Sequence, residues 1–409
     1  MPAQLISQPS KTILTPDNNL IESIDTGLDP AKRILIVSSQ TGGGHRSAAR
    51  ALEASLTEMG ALTPLQIAVA HRILEESSGM TRVLANAYNY MLRYHQSHMH
   101  HYFRWIESLK LHNQPMVLKM SWRYCQNLLE RFRASAVVSV HPMMQHIFAG
   151  ILKTLGWADK VPLMTVVTDP GKDVWQGWAC PDVKRYFVPS AESRDYLISL
   201  GVPEEKIDVS GMPVHPKFCP TETEDEKRAL RERLGLNTDC FTVFLNAGWM
   251  GGGNVPALLD AVMMQVDTSL QIVFLAGRNR KLYHDVLRKS LHTSMPITVL
   301  PYVQNIHEWM QASDVLVTKL GGLTTFESLS CHLPILADCI TPPMPQEAET
   351  ANMIARTDTG MLIYSVPQFL ETVNLLRTTP GLLNYFREHA RRLAPKGAAH
   401  HIAKEILHI

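Results

Sequence analysis

Residues 33–52, RILIVSSQTGGGHRSAARAL, run from a continuous apolar strand through three glycines into a helix-forming segment. An apolar run without polar alternation predicts a parallel strand buried on both faces, and a helix following at once predicts a βα unit. The turn departs from the G-x-G-x-x-G fingerprint of dinucleotide folds, because His45, Arg46 and Ser47 follow Gly42, Gly43 and Gly44. It also lacks the Lys-Ser/Thr of a P-loop. The glycines let the backbone approach a ligand with no Cβ in the way, and the helix start offers free N–H groups. The helix dipole lowers the proton affinity of His45 and suits it to act as a neutral base. A structural turn whose histidine merely caps or packs is the alternative.

The same scheme recurs along the chain. AVVSV, PLMTVVTD, RYFVP and IDVSG read as further strands in the first half, and FTVFLNAG, LQIVFLAG, PITVLPYV, DVLVTK, PILADC and GMLIY in the second. Between the two sets, residues 212–236 (MPVHPKFCPTETEDEKRALRERLGL) combine prolines, an acidic cluster and a charged helix, which places a domain boundary near residue 217. The expected architecture is α/β, with two Rossmann-like domains whose parallel sheets face each other across a cleft. Residues 1–30 form a loose lead-in, 31–216 the first domain, 217–385 the second, and 386–409 a C-terminal helix that packs back on the first domain. Ligands in such sheets bind outside the carboxyl ends of the strands.

Composition narrows the functional classes. The 409 residues suffice for two domains, and 39 Lys+Arg against 38 Asp+Glu leave a net charge of +1, so no global field recruits nucleic acid. Six scattered cysteines (Cys125, Cys180, Cys219, Cys240, Cys331, Cys339) form no metal-binding or disulfide spacing, which reads as reduced thiols in a cytoplasmic protein. The N-terminal stretch has no secretory pattern, and no run of about 18 apolar residues predicts a spanning helix. Membrane contact is therefore expected to be peripheral. Residues 71–133 are helical in period and hold nine Lys/Arg against four Asp/Glu, six histidines and many aromatics. They read as a helical insertion packed on its sheet, or as a surface lying against anionic lipid with Tyr102, Phe103 and Trp105 at headgroup level.

Candidate chemistry gathers at the strand ends. VSVHPMMQ (138–145) and TVVTD (165–169) aim His141 and Asp169 at the same edge as His45. In the second half NAGWMGGGN (246–254) repeats the strand-to-glycine turn at Gly248, and AGRNRKL (276–282) adds Arg278 and Asn279. A further strand ends in Lys319, and Gly321 and Gly322 open a helix through Thr324 and Thr325 with Glu327 one turn in. Amides and hydroxyls at a helix start suit a diphosphate, and a nearby carboxylate suits a ribose diol; plain capping by Thr324 and Glu327 is the alternative.

In their order, TGGGH, VSVHPMMQ, TVVTD with RYFVPS, GMPV, AGRN, WMQASDVLVTK with the following glycines and Glu327, and PQEAETAN resemble the monogalactosyldiacylglycerol synthase and processive diacylglycerol glucosyltransferase family, over roughly residues 33–365. The resemblance implies the GT-B arrangement and inverting transfer of a hexose (galactose, glucose or glucuronate) from a UDP-sugar to the hydroxyl of 1,2-diacylglycerol. It implies no cofactor or metal, an anionic lipid surface as partner, and a peripheral place on the cytoplasmic face of the cell membrane. By the same resemblance, His45 is the base on the acceptor side with Gly43 and Gly44, and Asp169 orients it or contacts the acceptor. Gly321, Gly322 and Thr324 hold the diphosphate, Glu327 the ribose, and Gln346 and Glu347 the sugar hydroxyls. Two departures stand out: Gly248-Trp249-Met250-Gly251 replaces a Gly-Glu-Gly-type turn, and Pro345 stands before Gln346-Glu347 where a glycine is usual. Competing readings are another GT-B enzyme acting on a polyprenyl-linked acceptor, a UDP-sugar epimerase, and a non-catalytic binding protein.

Overall fold

A computed structural model describes residues 32–39, 43–60, 65–94, 108, 114–172, 175–249, 251–265, 269–343 and 345–409. The chain divides into two units, one spanning the first half to Pro216 together with Gly397–Ile409, the other Lys217–Lys396; residues 88–94, the end of the helix Gly79–Tyr94, group with the second.

The first unit is built on a six-stranded parallel sheet of order β2-β1-β3-β4-β5-β6: β1 Lys32–Val37, β2 Leu65–Ala70, β3 Ala136–Ser139, β4 Leu163–Val166, β5 Arg185–Val188 and β6 Ile207–Val209. β1 is the parallel strand buried on both faces expected from RILIV, with Ile34 to Val37 fully buried. β2 is an addition to the sequence reading. Its LQIAVA run lies just before the helical insertion, and it pairs residue for residue with β1, Lys32 opposite Leu65 through Val37 opposite Ala70. The insertion contains the helices Ile73–Ser77, Gly79–Tyr94 and Pro115–Phe132. The last of these packs Cys125, Leu129 and Phe132 into the core beside Ile147, Phe148 and Ile151 of the helix Met144–Thr154.

The second unit repeats the plan with β7 Phe241–Asn246, β8 Leu270–Leu275, β9 Ile297–Leu300, β10 Val315–Thr318, β11 Ile335–Asp338 and β12 Gly360–Ile363, in the order β12-β11-β10-β7-β8-β9, all parallel. Alternate side chains feed two cores, as strand geometry dictates. Val243, Leu245, Ile272 and Phe274 join Leu258, Phe369 and Val373 on one face, while Phe244, Val273 and Leu316 meet Trp309 and Met310 on the other.

Beyond residue 386 the chain forms two helices rather than one. Pro380–Leu393 stays in the second unit, Gly397 turns the chain at φ 70, and Ala398–His408 lies in the first, packed against the helix Gly44–Met59. Lys32 Nζ donates to the Leu407 carbonyl, and His401 Nε2 meets Asp208 Oδ2 at 3.0 Å.

Candidate active site

In the first sheet the chain leaves β1 for β2 on one side and then crosses to β3 on the other, so the loops after β1 and β3 emerge side by side at a topological switch point. His45 is the second residue of the helix after β1, His141 follows β3, and their rings lie 4.8 Å apart. The loop after β4 brings Thr168 and Asp169 to the same edge. Thr168 Oγ1 lies 3.1 Å from His45 Nδ1, and Asp169 Oδ2 accepts the Trp178 indole N–H at 2.6 Å. The Trp178 ring is 6.0 Å from that of His45. Gly43 and Gly44 lead the helix, whose first turn has no side-chain cap. Its approach is pinned by Ser39, whose hydroxyl bonds the buried Glu75 carboxylate at 2.9 and 3.1 Å.

Burial lowers the proton affinity of His45, opposed by the charge of Asp169 and by the Val140 carbonyl. Burial, with His45 adding to it, holds His141 well below the ordinary histidine value. The His141 tautomer is set locally, because Nδ1 accepts the Met143 N–H at 3.2 Å. Both rings are thus neutral near pH 7, and a neutral imidazole offers a lone pair to an incoming hydroxyl proton.

The switch point of the second sheet lies between β7 and β10. There Lys319, just past β10, folds its stem over Gly253 so closely that a Cβ on that residue, itself at φ 74, would overlap Lys319 Cε. Burial lowers the Lys319 ammonium's proton affinity against the pull of Glu347 and Asp338. Asp338 is anchored by Asn254, whose Nδ2 donates to Oδ1 at 2.9 Å. Neither a hydrogen bond nor an ion pair engages Lys319 Nζ among the described residues. The helix Gly322–Ser330 starts after Gly321 with no side-chain cap; Thr325 turns its hydroxyl back to the Gly321 carbonyl at 3.1 Å, whereas Thr324 is half-buried at the start of the helix. Glu327 is buried, and burial pushes its carboxyl up to about 8. A carboxyl in so dry a place, without a protein hydrogen-bond donor among the described residues, is suited to receive donors from a ligand.

Arg278 is exposed and stacks its guanidinium over Trp249 at 4.1 Å and Tyr302 at 5.3 Å. Asn279, by contrast, is occupied within the protein: Oδ1 caps the helix Arg280–Ser290 through the Leu282 N–H, and Nδ2 donates to the Gly251 carbonyl at 3.0 Å. Gly248 takes φ 78, with its N–H on Asn246 Oδ1. Glu347 and Gln346 begin the helix Pro345–Arg356; the Gln346 side chain, like Tyr102, Phe103 and Trp105, lies outside the described residues. No group of three or more His, Cys, Asp or Glu is placed to hold a metal ion among the described residues.

Sequence reasoning missed Thr168, Trp178, Trp249, Tyr302 and Asp338. Thr168 stands beside Asp169 in TVVTD and shares its strand-end signal, while the others have partners remote in sequence.

Residues 45–214, from His45 through β2 to β6 of the first unit, match the family model described as monogalactosyldiacylglycerol (MGDG) synthase. A probable monogalactosyldiacylglycerol synthase 2, chloroplastic, of Oryza sativa subsp. indica is 28% identical over 92% of this chain and 80% of that protein. The monogalactosyldiacylglycerol synthase 2, chloroplastic, of Arabidopsis thaliana is 27% identical over 95% of this chain and 83% of that one. The resemblance carried by the motifs is borne out. Among solved structures, Acinetobacter baumannii MurG (TM-score 0.57, 14% identity, 92% of this chain and 100% of that chain) shares the fold. So does a UDP-GlcNAc 2-epimerase from Neisseria meningitidis bound to UDP-GlcNAc (TM-score 0.57, 13% identity, 92% and 100%). The fold class is therefore GT-B, as expected from the sequence.

Proposed function

We propose that this chain transfers a hexosyl group from a UDP-sugar to the hydroxyl of diacylglycerol, with inversion, at a membrane surface. The observation that carries the donor side is one site: Lys319 without a protein partner among the described residues, the uncapped helix start at Gly321–Gly322, and the buried Glu327. Those groups match a diphosphate and a ribose diol. The acceptor is suggested by the relatives' names, and the neutral His45 supplies the base an alcohol acceptor needs.

In the reaction the acceptor oxygen attacks the anomeric carbon from the face opposite the diphosphate. The new C–O bond forms as the C–O bond to the phosphate breaks, through an oxocarbenium-like state that inverts the centre. The bonding pair leaves with UDP, whose charge meets the helix amides, Lys319 and Arg278. The hydroxyl proton goes to His45, and Asp169 stabilises the resulting cation through space. Gln346 and Glu347 read the sugar hydroxyls. The reaction asks nothing of a bound metal.

Peripheral membrane contact, proposed to be on the cytoplasmic side, draws its structural support from the helix Gly79–Tyr94 for the contact alone. Its sequence holds Arg82, Arg93 and no acidic residue, and it exposes Met80, Val83 (65%), Leu84 and Tyr90. Among the described residues no helix is long and apolar enough to cross a membrane.

Purified protein with diacylglycerol liposomes and each UDP-hexose in turn tests the reading, with a glycolipid from one donor as the expected product. A changed UDP-sugar without acceptor would point instead to the epimerase chemistry named for one structural neighbour.

A further inference from the structure

The reading of His45 as the base leaves open what makes one of its two nitrogens available, and the inference here rests on that reading. A neutral imidazole carries one N–H and one lone pair, and only the lone pair can take the acceptor's proton. The carboxylate that would be the obvious orienting partner does not hold the ring: Asp169 Oδ2 is engaged by the Trp178 N–H at 2.6 Å. His141 is 4.8 Å away ring to ring, and its own Nδ1 is filled by the Met143 amide. Among the described residues, the polar side-chain atom within hydrogen-bond reach of the ring is Thr168 Oγ1, 3.1 Å from Nδ1.

We propose that Thr168 is the positioning residue of His45: its hydroxyl oxygen accepts the Nδ1 proton, which leaves the Nε2 lone pair as the base. The placement is rigid. Thr168 is buried, and the ladder bond from the Val167 N–H to the Phe187 carbonyl fixes the backbone just before it. Its β-branched side chain has few rotamers to choose from. The titratable groups that face the ring are Asp169 and His141. Since the group bonded to Nδ1 is a neutral hydroxyl rather than a carboxylate, the ring is oriented without a contact ion pair that would raise its proton affinity. In the transfer step the acceptor proton moves to Nε2 while Nδ1–H stays on Thr168, and Asp169 offsets the charge through space.

Three variants and one spectrum test this. Thr168→Val keeps the shape and removes the acceptor oxygen; turnover should fall about 10- to 100-fold, less than the ~10²–10⁴ carried by the base itself, with KM for the UDP-sugar unchanged. Thr168→Ser should restore most of the lost turnover. In ¹⁵N-histidine spectra of the full chain, the His45 signal, identified by its loss in His45→Ala, should show Nδ1 protonated and Nε2 bare at neutral pH. Thr168→Val should mix the tautomers. A wild-type spectrum with Nε2 protonated overturns the proposal, as does a Thr168→Val enzyme with full turnover or a Thr168→Ser enzyme no better than Val. If His45→Ala turns over normally, the base reading itself has failed. If it is inactive while Thr168→Val is normal, the positioning role alone has failed.

Discussion

At the scale of single residues, His45 and Glu327 tie the account to pH in opposite ways. His45 works neutral, and burial lowers its proton affinity, so kcat at saturating UDP-sugar, where Glu327 has already released its proton on binding, should stay level from about pH 8 down through the ordinary histidine value near 6.5 and fall only below it. Protonation removes the lone pair, which fixes that sign. A pH–rate profile with its acid limb centred above 6.5 would contradict the assignment. Glu327 is an acid held up to about 8 by burial, so near pH 7 it is mostly protonated without ligand. Ribose hydroxyls that donate to the carboxylate favour its charged form and lower that value. UDP binding should therefore release a proton at pH 7, seen in titration calorimetry as a heat that changes with the ionisation enthalpy of the buffer. Glu327→Gln should abolish the dependence; a heat independent of buffer in the unmodified protein would mean that Glu327 keeps its proton and does not receive the ribose.

At the scale of elements, the second sheet keeps its buried ion cluster at the end opposite its reactive groups. Asp314, just before β10, bonds Lys227 and Arg231 at 2.7 Å, Arg387 at 2.9 Å and the Thr242 N–H at 2.9 Å. Burial alone would raise its carboxyl, but Lys227 and Arg231 outweigh burial and hold it at about 2. Its contribution to stability is thus complete above the unfolded value near 4 and drains as pH falls toward 2. Asp314→Asn leaves three cations short of their counter-charge and should cost about 3–5 kcal/mol in denaturant unfolding. UDP affinity should be unaltered, because the site lies past the carboxyl end of the same strand; a loss of UDP affinity without loss of stability would contradict this division. The same logic shows what the sequence could reveal. Apolar runs ending in turns announce parallel strands and place His45, His141 and Lys319 just past strand ends and Glu327 one turn into the helix that follows. β2 escaped notice because LQIAVA mixes Gln66 and two alanines into its apolar run, and its identity as a strand rests on pairing with β1. Trp178 beside Asp169 and His45, or Asn254 on Asp338, 84 positions away, are products of topology and leave no local pattern. Asn279 looked like a ligand residue because it follows a strand, yet the same position is where a helix needs its cap.

At the scale of the whole molecule, the proposed reaction asks one chain, with 45% hydrophobic residues and a net charge near zero, to handle both a soluble nucleotide sugar and a lipid acceptor. The exposed apolar stripe of the helix Gly79–Tyr94 is the described surface best suited to a bilayer. Val83→Asp with Leu84→Asp removes two aliphatic anchors worth about 1.5–3 kcal/mol each when fully buried. Sedimentation with anionic vesicles should show binding weaker by tenfold or more, while UDP affinity stays as it was; unchanged vesicle binding would move the contact elsewhere. The most direct test of the central claim is a product assay. The unmodified protein and its His45→Ala variant are incubated with diacylglycerol liposomes and each UDP-hexose, and the lipid extract is examined for a hexosyl-diacylglycerol and its anomeric configuration. The account predicts glycolipid from one donor, with the anomeric configuration opposite to that of the UDP-sugar, and a loss of about 10²–10⁴ in rate for His45→Ala. No glycolipid from any donor, or retention of the donor's configuration, would contradict it.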